Sequence, residues 1–330
     1  MRLNLSRRNF IKLAGGLALA SLGLGALGYS LGWFSPREQA VFEKESRTAS
    51  RADGERSLVS FVRGRDAREM VRAAVEIIGG IEGVVKPGSR VLIKPNVGFN
   101  RVEAVTSPEI LGAVIELVKE ADPADIIVAE SAVRGYDTSS NFDRVGVREV
   151  ARELGVRLID LDKEDKAVKT KIRGRVLQEV SVFKQALDAD VIISVPKLKR
   201  HSQAVVTISL KNMMGIMPDD QKGMFHVLGL DQCIADLNTA FKPDLAIVDA
   251  IEVMTVSGPG MGKMVPGNAV LASRDPVALD LVAAEYLFKL EGHADPLRAA
   301  MNVPHIRLAA ELGVGTNDIS RIELIRREPG

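Results

Sequence analysis

The amino-acid sequence predicts an α/β protein, a mainly parallel sheet covered by helices on both faces, with a β-hairpin inserted near residues 169–180. Three observations predict it. Apolar runs such as Val91-Leu92-Ile93 and Val191-Ile192-Ile193-Ser194-Val195 are short and uninterrupted, as in strands buried on both faces. Helical periodicities separate these runs, which is the order of a doubly covered sheet. Hydrophobic residues make up 46% of the chain, enough for a well-packed core.

Ahead of that pattern lies a segment of a different kind. Ser6-Arg7-Arg8-Asn9-Phe10-Ile11-Lys12 is polar and doubly basic, and an almost uncharged run over residues 13–34 follows it. A basic start before an apolar core is the layout of a secretory leader, and the paired arginines mark its twin-arginine version. The expectation is export through the twin-arginine translocase, with the folded part outside the cytoplasm. Two outcomes stay open. Ala18-Leu19-Ala20 has the small residues of a cleavage site, which would leave a soluble protein. Residues 13–34 are also long enough to cross a hydrocarbon core of about 30 Å, with Trp33 and Phe34 at the interface, which would leave a membrane anchor. Residues 35–57 are polar and charged and read as a linker, so the domain is expected over 58–330.

Within the domain the elements follow in order. Residues 58–62 form a short strand; Asp66 then caps a helix to about 78, with Met70, Ala73, Ala74 and Ile77 on its buried face and Gly79-Gly80 to stop it. A strand at 91–93 precedes Ser107-Pro108, a cap with proline at the first helical position. Strands at 126–129 and 157–161 flank one continuous helix over 142–154. Residues 169–172 and 175–180, joined through Arg173-Gly174, form the hairpin. Apolar strands at 191–195 and 245–248 enclose a helix over 230–241. A strand at 268–272, a helix capped by Asp275-Pro276, a helix near 303–312 and a strand near 322–325 close the chain.

In parallel sheets of this kind ligands bind beyond the carboxyl ends of the strands. Charge follows four of these strands at once: Lys94-Pro95-Asn96, Glu130-Ser131, Pro196-Lys197-Leu198-Lys199-Arg200-His201, and Asp249 with Glu252 three places on. Any one of these alone is what a solvated loop looks like, and their coincidence suggests one rim. Lys197, Lys199 and His201 alternate and would share a side of an extended segment. Lys211-Asn212 returns after a short apolar run. Cations beside amides and hydroxyls suit phosphate or carboxylate. Ser257-Gly258-Pro259-Gly260-Met261-Gly262-Lys263 lacks the P-loop spacing; it is either a plain turn or an anion nest built from the amides of Gly258, Gly260 and Gly262.

Composition excludes several classes. Lysine plus arginine number 44 against 43 aspartate plus glutamate, and only 4% of residues are aromatic, which fits neither a general nucleic-acid binder nor a base-stacking platform. The single cysteine, Cys233, lies beside Ile234 and Leu237 in a helical pattern and reads as a packing thiol; one thiolate does not supply the ligands of an iron–sulfur cluster, so no such cofactor is expected. No nucleophile elbow and no dinucleotide fingerprint is present. The four histidines show no helical ligand pair, which leaves a mixed site of His201, Glu130 and Asp249 as the metal-dependent alternative.

Taken in this order and spacing, Lys94-Pro95-Asn96, Glu130-Ser131, Pro196 to His201, Lys211-Asn212 with Gly215, Asp249 and Asp275-Pro276-Val277-Ala278 with Asp280 resemble the domain-of-unknown-function 362 family, DUF362. The resemblance covers about residues 57–325 and implies the α/β fold and the residues of the rim. Some relatives carry a ferredoxin-like iron–sulfur extension, which a chain with one cysteine is not expected to reproduce. The resulting expectation is a twin-arginine-exported protein that binds a small anionic ligand. Lys94, Lys197, Lys199 and Lys211 would hold the anion and Asn96 and Asn212 would orient it. Glu130, His201 or Asp249 would transfer protons if it is an enzyme. The alternatives are the metal site and a non-catalytic accessory module of a membrane or envelope complex.

Overall fold

The computed structural model describes residues 56–328, and the expected signal, anchor and most of the linker lie outside them. Among the described residues no helix is long and apolar enough to cross a membrane. The strands among the described residues are β1 (Ser57–Arg63), β2 (Arg90–Pro95), β3 (Asp125–Glu130), β4 (Arg157–Asp160), β5 (Ala167–Lys171), β6 (Glu179–Phe183), β7 (Val191–Val195), β8 (Lys197–His201), β9 (Val205–Thr207), β10 (Leu245–Thr255), β11 (Lys263–Ser273) and β12 (Ile322–Arg327). The main sheet runs β12-β1-β11-β10-β7-β2-β3-β4. From β10 to β4 every neighbour is parallel. The other side is mixed: β11 is antiparallel to β10 and to β1, and β12 is parallel to β1.

Residues alternate between the two covered faces, as the period of a strand requires. Leu92, Ile127, Ile192, Ala246 and Leu271 pack on one face, against α7 (Leu230–Phe241), α8 (Pro276–Leu290) and α9 (Pro304–Glu311). Val91, Ile93, Ile126, Val128, Ile193, Ile247 and Val270 pack on the other, against α1 (Ala67–Ile77), α2 (Pro108–Lys119) and α4 (Val147–Glu153). Burying both faces explains why the strands read as unbroken apolar runs.

Local signals account for most helix boundaries. Asp66 accepts the amide of Glu69 at 2.9 Å and starts α1. Its buried face is Met70, Val71, Ala74 and Val75, one step round from the face the sequence suggests, because Ala73 and Ile77 sit at its margin. Asp275 caps α8 through the amides of Val277 and Ala278, and its second oxygen accepts Ser57 Oγ at 2.7 Å and the Thr316 amide at 3.1 Å. Asp280, inside α8, accepts the amides of Ser209 and Leu210 and so fixes the start of α5 (Ser209–Asn212).

Other expectations need correction. The helix expected over 142–154 is two, α3 (Thr138–Arg144) and α4, separated by Gly146 at φ +79°, a left-handed conformation that interrupts a helix. The hairpin pairs β5 with β6, with Lys171 opposite Glu179, so its loop is wider than Arg173-Gly174. The cause is tertiary: Asp236 on α7, fully buried, accepts the amides of Arg175, Val176 and Leu177 and draws the loop onto the helix. Finally, β10 does not end before Asp249. It continues to Thr255 and forms a long antiparallel pair with β11, with a register shift between Ala250 and Glu252.

Candidate active site

The four strands that carry charge in the sequence are neighbours in the sheet, in the order β10-β7-β2-β3. At their ends lies a cavity of about 450 Å³. The chain folds over it after β7, as β8 and β9 pair across Lys199 and Thr207, and α5 and α6 (Asp219–Leu228) close the side.

Under the cavity is an ion pair with almost no exposure, of which Glu130 lines the space and Lys94 does not. Lys94 Nζ lies 2.6 Å from Glu130 Oε2, at 0% and 2% side-chain exposure. Glu130 also accepts the amides of Val97 at 2.9 Å and Ser131 at 3.0 Å, so three donors converge on one carboxylate. Burial pushes the Glu130 carboxyl up and the Lys94 ammonium down, and their contact opposes both shifts. Asn212 braces the pair. Its Nδ2 donates to the Lys94 carbonyl and to Ser194 Oγ, and its Oδ1 accepts Asn96 Nδ2 at 3.1 Å. Asn96 Oδ1 is buried and meets no donor. Gly215 lies directly over the pair, where a Cβ would collide with Glu130 Oε1 and with Lys94 Cε.

A second pair lies behind the cavity wall. Lys197 Nζ is 3.2 Å from Asp249 Oδ2, and Asp249 also accepts the amides of Ser107 and Ile251. Neither residue lines the cavity. Asp249 thus ties the start of α2 to β8 and β10, and is not a proton-transfer group of this site.

Lys199 and Lys211 differ from these. Both line the cavity, and among the described residues neither has a carboxylate partner within ion-pair distance. Lys199 is 1% exposed; its ammonium donates to the Ala104 carbonyl and stands 5.0 Å from the centre of the Phe99 ring. Burial, then Lys211, holds its pKa well below that of an ordinary lysine. Lys211 is half-buried, and among the described residues its Nζ has Met214 Sδ, at 3.7 Å, as its one hydrogen-bond partner. Burial, then the charge of Lys222, lowers its pKa to about 8.

His201 Nδ1 accepts the amides of Gln203 at 3.1 Å and Ala204 at 3.0 Å. Two donors on Nδ1 place the ring proton on Nε2, leaving a single N–H to offer. Burial first, and then Lys211 and Lys199, lower its pKa to about 2. His201 is therefore a neutral hydrogen-bond donor and not the proton-transfer group that the sequence suggests.

Two further expectations fail on geometry. Glu130, Asp249 and His201 are each engaged by separate partners, and among the described residues no group of three or more histidine, cysteine and acidic side chains is gathered as a metal requires. In the 258–262 loop only Pro259 lines the cavity; Gly258 and Gly262 instead lie where a Cβ would strike the carbonyls of Arg200 and Ser257. The loop is the turn between β10 and β11. Glu252 is exposed, and Cys233 is fully buried with a thiol pushed up to about 11 by burial and Asp236, as a packing residue would be.

The sequence analysis does not anticipate Lys222, Arg134 or Thr207, which also line the cavity. Lys222 donates to the carbonyls of Ser131 and Ala132 and ties α6 to the end of β3. Thr207 Oγ1 is buried without a partner. Neither relation has a local signature, because each is made across the fold.

Of the cavity's acidic residues only Glu130 lines it, and Lys94 neutralises that charge. With Arg134, Lys199, Lys211 and Lys222 around it, the space is positive. The apoprotein of lactate racemase from Thermoanaerobacterium thermosaccharolyticum is similar at a TM-score of 0.43 and 14% identity, over 66% of this chain and 54% of that one, so the chain spans about half that structure's length. A thylakoid-associated protein of Synechocystis sp. is 31% identical over 242 residues, 70% of this chain and 72% of the relative. The family model described as domain of unknown function DUF362 matches residues 91–285, and the chain belongs to that family.

Proposed function

We propose that this protein binds a small anionic ligand, carrying a phosphate or carboxylate group, in the cavity at the ends of β2, β3 and β7, and that it does so after export by the twin-arginine route. The observation that carries the ligand reading is the pair Lys199 and Lys211, two cationic side chains facing one cavity with no carboxylate partner. Lys199 is buried and Lys211 half-buried; a cation withdrawn from water without a counter-charge is costly, and an anion from solution would supply one. The cavity's size suits a small metabolite. Asn96 Oδ1 and Thr207 Oγ1, buried and unpartnered, are the polar groups left for its hydroxyl or N–H groups. The Nε2–H of His201 is a fixed donor that would polarise a carbonyl or phosphoryl oxygen, which makes an enzyme the natural occupant of this arrangement. Export rests on Arg7-Arg8 and the apolar run behind them.

Thermal unfolding across a panel of phosphate, sulfate, small carboxylates and phosphorylated metabolites tests the ligand reading. The native protein is expected to be stabilised by at least one member, by about 2.7 kcal/mol at a hundredfold excess over Kd, and Lys199→Met with Lys211→Met to lose the effect. An unchanged response in the double variant rejects it. Fractionation of cells carrying Arg7→Lys with Arg8→Lys tests export; the variant is expected to stay in the cytoplasm.

A second reading, an accessory module beside a membrane complex, is favoured by the thylakoid-associated relative. Membrane pelleting separates the two, since an accessory module would co-sediment with a complex after removal of residues 1–34 and a free anion-binding protein would not.

A further inference from the structure

We propose that Lys211 is an imine-forming nucleophile and that the ligand of this cavity is a small oxo acid, a carbonyl compound that also bears a carboxylate. The proposal rests on the anion-binding reading and names the substrate class of that same site.

The argument is one of commitments. Every other lysine around the cavity has its nitrogen occupied. Lys94 is bound to Glu130 and Lys197 to Asp249. Lys199 donates to the Ala104 carbonyl under the Phe99 ring, and Lys222 donates to two carbonyls and lies 3.3 Å from Asp219. Lys211 alone has only a thioether for a neighbour, Met214 Sδ at 3.7 Å, a weak acceptor that does little to hold a proton on the amine. The charges around it are mixed: Lys222 disfavours its ammonium form and Asp231, with a smaller effect, favours it. The mutual repulsion with Lys199 and the influence of Lys211 on His201 and His226 show how closely these groups share one space. Burial is the largest cause and, with Lys222, brings the pKa to about 8, so that an appreciable fraction carries a free lone pair near neutral pH.

The remaining groups suit the other end of such a substrate. Lys199 supplies the positive charge for the carboxylate, with Arg134 at the exposed margin, and His201 Nε2–H can donate to the carbonyl oxygen. The amine lone pair attacks the carbonyl carbon while the carbonyl π pair moves onto oxygen. One N–H proton passes to that oxygen to give a carbinolamine. The hydroxyl then leaves with the second N–H proton as water, and a C=N bond remains. One water is released and nothing is oxidised or reduced.

The test treats the full-length protein with pyruvate and sodium cyanoborohydride at neutral pH, with adducts located by peptide mass spectrometry. The expected result is one reduced adduct on the peptide carrying Lys211, formed about tenfold or more faster than on any surface lysine because more of its amine is unprotonated. Lys211→Arg keeps the cation and cannot form an imine; it should abolish this adduct and retain the anion-dependent thermal shift. Labelling spread evenly over surface lysines, or an adduct that survives in Lys211→Arg, overturns the proposal. If the adduct is absent while the anion shift persists, the imine role fails alone. If both are absent, the anion-binding reading fails with it.

Discussion

Lys94 and Lys197 differ from Lys199 and Lys211 in what meets the ammonium, although all four follow the ends of adjacent parallel strands or the segment that folds over them. The first two sit 2.6 and 3.2 Å from carboxylates that also collect backbone amides. They join elements: β2 to β3, and β8 to β10. The other two face open space, one held by a carbonyl and an aromatic ring and the other by almost nothing. A lysine here that meets a carboxylate is part of the frame, and one that does not is, on the proposed reading, available to a ligand's charge. The sequence presents all four alike, as lysine after an apolar run.

This contrast can be broken experimentally, most forcefully at the floor of the cavity. Lys94→Met leaves the Glu130 carboxylate buried with two amides and no cation, and should lower the stability to urea by about 3–5 kcal/mol. Lys94→Met with Glu130→Leu should recover most of that loss, because the stranded charge is gone. If Lys94→Met is no more damaging than Lys199→Met, the division into frame and ligand-binding lysines is wrong.

Gly215→Ala probes the same pair without touching its charges. A methyl group pressed against Glu130 Oε1 and Lys94 Cε should cost about 1–3 kcal/mol in urea unfolding. Lys199→Met should behave in the opposite way. Removing an uncompensated buried cation should leave stability equal or higher, while affinity for the bound anion, measured by calorimetry, falls about thirtyfold, or about 2 kcal/mol.

The smallest effect is a pH dependence. Below about 8 Lys211 is an ammonium in the folded protein, and above it a neutral amine. Stabilisation by sulfate, whose own charge is constant over this range, should therefore shrink as pH rises through 8. The ligand-free protein should show the reverse trend. Between about 8 and the ordinary lysine value near 10.4 the unfolded chain holds the extra proton, so stability increases with pH across that window. Lys211→Met should flatten both curves, and curves that do not change would place the titrating group elsewhere.

Much of the fold was legible because its signals are local. Unbroken apolar runs mark strands buried on two faces, and Asp66 and Asp275 cap their helices as aspartate does. The convergence of Lys94, Glu130 and Lys199 was legible as well, since the carboxyl ends of adjacent parallel strands meet by construction. What escaped was set across the fold. Asp236 widens a hairpin loop sixty residues away in sequence from the amide of Val176. Asp249 looks like a strand-end acid, yet its strand continues because β11 arrives to pair with it. His201 looks like a general base until the two amides on Nδ1 are seen. Residue type announced charge in each case, and only the partners decided its use.

Asp275 and the strand it fastens have a bearing on the order of events during synthesis. The first strand of the domain, β1, lies between β11 and β12, and Ser57 is locked to Asp275 across 218 residues of chain. A ribosome delivers β1 well before either of its partners. β1 has no edge to join until nearly the whole domain has emerged, and closing so large a loop comes late and slowly. Completion of the sheet therefore waits for β12, and a chain cut before β11 should leave the N-terminal strand unpaired as well.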